Sequence, residues 1–146
     1  WYLDYKNSYS IGISLGSLMA TIMFLNVWLI IWPNQKKVIA GTEDAAEAGA
    51  KAALASRTNT LFSFPMLYFM IYSAHISDGK NYFYEIPGVA ASGWSMPALY
   101  VGTAIILAIE ANAIFGKMRK FMESVKAVIH SGLILTVLFA LLVYYY

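Results

Sequence analysis

The chain has 146 residues, 60% of them hydrophobic and only 12% charged, with a mean hydropathy of +0.59. A soluble domain carries about twice that share of charge, so this chain belongs in a bilayer. Its formal charge of +2 is too small for a nucleic-acid binder, and with no cysteine it holds no disulfide, thiolate metal site or covalent c-type haem attachment of its own.

The first element is an uncharged run over 9–32, longer than the roughly 20 helical residues that cross about 30 Å of hydrocarbon. It ends in NVWLIIWPNQKK, where Pro33 lacks a backbone donor and Lys36 and Lys37 suit phosphates better than acyl chains. The stretch therefore reads as a membrane exit. Gly12, Gly16 and Ala20 stand four apart on one face of this span, a seam of small residues that lets another helix approach closely. Next comes GTEDAAEAGAKAALASR, with its acids early, Lys51 and Arg57 late, and Thr42 placed to cap it. A short cytoplasmic helix is expected over 43–56. Further spans are expected over 59–77, over 97–116, broken only by Glu110, and over 127–146. The expected fold is all-α, a single membrane domain over 1–146: a four-helix bundle with one short cytoplasmic helix between spans one and two.

Basic residues set the orientation, because Lys and Arg stay on the cytoplasmic side in short loops. Lys36, Lys37, Lys51 and Arg57 lie between spans one and two, and Lys117, Arg119, Lys120 and Lys126 between three and four. Only Lys6 and Lys80 fall on the other side. The expectation is a multi-pass protein of the cell membrane with both termini outside and loops 33–58 and 117–126 cytoplasmic. Tyr82, Trp94 and Tyr144 would gather at the outer interface, and Trp28 and Trp32 at the inner one.

Ionisable groups inside a span cost roughly 2.5 kcal/mol or more, so they persist where a partner or cavity receives them. Glu110 lies seven residues before Lys117, Asn26 six before Trp32 and His130 four after Lys126, which puts them roughly 10, 9 and 6 Å deep. With Asn112 they are candidates for one polar layer. Two readings compete: a Glu and His pair that handles protons or a ligand, and a hydrogen-bonded clip between helices, which is favoured. Methionines spaced four apart, such as Met19 and Met23, suit packing filler better than copper ligation. His75 and His130 are the candidate haem axial ligands, but counting along the spans separates them by roughly 20 Å in height. One iron cannot take both, although one of them could serve a haem b shared with another subunit.

The blocks MATIMFLNVWLIIWPNQKKVIAG (Met19 to Gly41) and ASRTNTLFSFPMLYFMIYSAH (Ala55 to His75) resemble the membrane domain of the bacterial cytochrome-linked urate hydroxylases and their shorter membrane relatives. The resemblance covers about residues 11–75. The scaffold residues it implies are Asn26, Pro33, Lys36, Lys37, Arg57, Asn59 and Pro65, with Asn26 bonding between helices and Asn59 its candidate partner or a cap. The family's histidines fall here at Ser14 and Thr58. The resemblance thus implies a member that keeps the architecture without those ligands.

The expected role is an accessory, non-catalytic subunit that packs against the catalytic subunits of a larger redox or respiratory membrane complex. Its partners would be other integral membrane subunits and the bilayer, with bound lipid but no cofactor held by this chain alone and no nucleic acid. The alternatives are a haem b or urate-type oxidoreductase component, and a small proton-coupled transporter subunit using Glu110.

Overall fold

The computed structural model describes residues 8–76 and 96–145, and the regular structure within them is entirely helical. The expected aromatic clusters around Trp1 and Tyr82 lie outside the described residues. In a bilayer the backbone must satisfy its own polar groups, and uncharged runs free of glycine pairs do so as helices.

Helix α1 (Ser8–Leu25) passes through a wide π turn (Asn26–Ile31) into α2 (Trp32–Ala40), forming one rod. The expected exit at Pro33 is therefore corrected. A proline inside an ordinary helix loses one hydrogen bond and collides with the carbonyl four residues back. Here the winding loosens just ahead of it: the Trp32 N–H donates to Val27 O, five residues back, and Asn34 Nδ2 donates to Ile30 O at 2.7 Å. The rod ends instead at Gly41, whose φ of +64° is the left-handed conformation that glycine adopts without steric cost.

The expected helix over 43–56 is not a separate element. Helix α3 (Ala45–Ile71) runs on without a break and is extended by a second π segment, Tyr72–Ile76. No glycine or proline interrupts the stretch between its alanine-rich start and Asn59, so nothing there stops the helix. Thr42 does not cap it either. Its hydroxyl donates to Lys37 O and to Asp44 Oδ1, closing the preceding turn. Helices α4 (Met96–Phe115) and α5 (Val125–Tyr145) complete the bundle, joined through a single 3-10 turn at Lys120–Met122.

Three stretches, Ile11–Ala40, Pro97–Phe115 and Val125–Tyr144, are long and apolar enough to cross a membrane. Helix α3 is not among them, because Arg57, Thr58, Asn59 and Ser63 lower its hydropathy. Its place in the bundle explains the difference: α3 is the central rod, packed against α1, α2, α4 and α5. Its hydroxyls return to its own backbone, as Thr58 does to Leu54 O and Ser73 to Phe69 O.

Contact register gives the helix directions. Gly12 and Gly16 face Phe69, and Asn26 faces Asn59, so α1 and α3 are antiparallel. Gly132 faces Phe64 and Phe139 faces Phe69, so α3 and α5 run parallel. Gly102 meets Leu15 and Glu110 meets Asn26, so α1 and α4 also run parallel. The glycine seam is thus used within the chain. A Cβ at Gly12 or Gly16 would lie 3.2 Å from Phe69, whose ring stands 6.1 Å from that of Phe139 on the other side. Ala20, one turn further along, is partly exposed. Buried Ile11, Leu15, Met19 and Phe62 extend the core. Met19 and Met122 belong to this core whereas Met70 and Met118 are exposed, as expected of filler.

Candidate functional site

Where α1 gives way to its π turn, Asn26 is only 2% exposed. A primary amide carries two donor hydrogens, and Asn26 sends them to two helices: Nδ2 lies 3.0 Å from Asn59 Oδ1 on α3 and 3.0 Å from Glu110 Oε2 on α4. Asn59 then donates from its own Nδ2 to the Met23 carbonyl of α1, also at 3.0 Å. Three side chains and one backbone carbonyl thus close a junction across three helices. No buried side-chain nitrogen or oxygen among the described residues lacks a partner.

The four-residue layer of Asn26, Glu110, Asn112 and His130 is not assembled. Asn112 is half-buried, and its Oδ1 accepts from Arg119 Nε at 3.4 Å. His130 is exposed, with Nδ1 2.7 Å from Lys126 O. A carbonyl only accepts, so Nδ1 carries the proton there, and in the neutral ring the lone pair sits on Nε2. His75 is also exposed, at the far end of the π segment that extends α3. From the α3 and α5 register His130 is level with about Phe62, so the two imidazoles differ by about 20 Å in height. They do not fit a shared haem. Among the described residues no three His, Asp or Glu side chains gather as a metal-binding group.

The remaining scaffold residues divide by position. Arg57 donates from a guanidinium nitrogen to Met122 O at 2.7 Å, pinning the α4 to α5 connection onto α3. Pro65 is buried inside α3. Lys36 lies over the Trp32 ring, 3.7 Å from its centroid, and Trp32 meets Trp28 edge-on at 5.4 Å. Lys37 pairs with Asp44 at 2.6 Å. These bonds hold the corner beyond Gly41, and they hold the Asp44 carboxyl below its ordinary range through the Lys37 and then the Thr42 hydrogen bond. Sequence reasoning did not find the Arg57, Asn34 or Met23 partners, because each is a backbone carbonyl and carries no residue signature.

A bundle with three helices fit to cross a lipid bilayer and polar side chains turned inward on one another is that of a helical membrane protein. The sequence model of the urate oxidase N-terminal family matches residues 6–141, and the chain belongs to that family. The match takes in α4 and α5, well beyond the 11–75 stretch in which the resemblance was legible. Curated proteins and solved structures give no significant match.

Proposed function

We propose that this chain is a non-catalytic, helix-packing subunit of a membrane redox assembly of the urate oxidase type. The observation that carries the proposal is the junction itself: Asn26 gives both amide hydrogens to other helices, and Asn59 returns one to α1. Polar groups used in this way hold a scaffold together. Alternating helix directions support four crossings, with α3 tolerated as the least apolar because its neighbours surround it. Unequal sharing of basic residues supports both termini outside and loops 33–58 and 117–126 in the cytoplasm. Extraction in mild detergent followed by native mass spectrometry tests the role. Co-purification with other integral membrane subunits is the expected result, and a folded monomer that retains no partner sinks it.

One observation favours a second reading. The Nδ1 bond of His130 leaves Nε2 as the coordinating atom on an exposed face of α5. That is the tautomer a single axial ligand needs for a haem b held jointly with a neighbouring subunit. A Soret band in the assembled complex that His130→Ala removes and His75→Ala leaves intact would select this reading.

A further inference from the structure

We propose that the α4 to α5 connection, residues 116–126, is a binding site for the headgroups of anionic phospholipids, formed where unpaired cations and exposed apolar side chains alternate. Lys117, Arg119, Lys120 and Lys126 are all exposed, against a single carboxylate, Glu123. Among the described residues the ion pairs are Lys37 with Asp44 and Lys51 with Glu47, both at the other connection. The two basic connections thus differ in kind: one neutralises two of its cations internally, whereas the other leaves its charge facing outward.

The apolar residues identify the ligand as a lipid rather than an acidic protein or nucleic acid. Phe115 is 86% exposed, Val125 67% and Phe121 47%, interleaved with the cations. Side chains of this size gain by entering acyl chains while ammonium and guanidinium groups beside them reach phosphates. The height agrees. Phe115 follows Glu110 by five residues as Ile31 follows Asn26, so it lies level with the end of the wide turn, next to Trp32, whose ring carries Lys36. The segment is also held in place: Met122 is fully buried, its carbonyl takes the Arg57 bond, and Ser124 Oγ accepts from the Ala127 N–H at the start of α5.

The test reconstitutes the full chain into nanodiscs of phosphatidylcholine with a minor fraction of phosphatidylglycerol and counts the lipids retained by native mass spectrometry. The parent should retain phosphatidylglycerol several-fold above its bulk fraction, and Lys117→Gln with Lys120→Gln should lower that enrichment at least about threefold. Lys37→Gln with Lys51→Gln, which removes cations already paired, should leave it unchanged. Raising the salt from 0.1 to 1 M shortens the screening length to about 3 Å and should release the lipid from the parent protein, a readout that holds even if a variant misfolds. Retention at the bulk fraction, equal losses from the two double variants, enrichment that survives 1 M salt, or displacement by inorganic phosphate alone would each overturn the proposal.

Discussion

The Asn26 side-chain nitrogen lies 3.0 Å from Glu110 Oε2, joining α1 to α4 across 84 positions of sequence. The carboxyl accepts and the amide donates, so Asn26 is the residue the junction cannot replace with an apolar isostere. Asn26→Leu strands acceptors on both Asn59 and Glu110 and should destabilise the folded protein by about 1–3 kcal/mol. Glu110→Gln keeps an acceptor oxygen and should stay within about 1 kcal/mol of the parent. Thermal unfolding in detergent compares the two, and equal losses would show that the amide donor is not what matters.

Phe69 is wedged between the glycine seam of α1 and the Phe139 ring of α5. Phe69→Ala should cost about 3–5 kcal/mol through the cavity it leaves. Gly16→Ala brings a methyl to 3.2 Å from the Phe69 Cβ, and overpacking of this kind costs about 1–3 kcal/mol. A cycle combining the two tests the contact, since Gly16→Ala should cost clearly less once the ring is gone. Strict additivity would separate the seam from Phe69.

Arg57 holds the α4 to α5 connection by one bond to Met122 O. Arg57→Ala should loosen that connection and speed tryptic cleavage after Lys117, Arg119 and Lys120, while helicity is retained. Unchanged cleavage kinetics would mean that buried Met122 alone anchors the segment.

Asp44 titrates below its ordinary 3.8 because of the Lys37 and Thr42 hydrogen bonds. A depressed folded value means that the stabilisation of this corner is complete above 3.8 and is lost as the pH falls through the lower value. Glu47 behaves alike through Lys51. Following the Asp44 carboxyl by NMR should give a midpoint below 3.8, moving upward in Lys37→Gln. A midpoint indifferent to that substitution would discount the pair.

How legible this was depended on which coordinate an element required. Depth can be counted along a span, and the counting placed Asn26 and Glu110 at one height; Asn59 came from the family scaffold. The face of the helix was the part overlooked. Residues two apart on a helix point about 200° away from each other, so Asn112 cannot share a direction with Glu110, nor His130 with buried Val128. Pro33 was read by its usual effect, which the widened turn before it cancels. Gly41 was the better end signal, because a left-handed residue needs glycine whatever its surroundings. Helix α3 could not be separated correctly from its alanine-rich start because composition changes there without any residue that breaks a helix.

The widened turn over Asn26–Ile31 also resets the angular phase of everything that follows it. Removing a single residue from that stretch would restore uniform winding and swing α2 by about 100° about its axis. Lys37 would then be carried away from Asp44, and the aromatic ladder at Trp28 and Trp32 would be split between two faces. The spacing of these six residues is accordingly as much a part of the design as their identities, and a one-residue length change here would be worse tolerated than several conservative replacements.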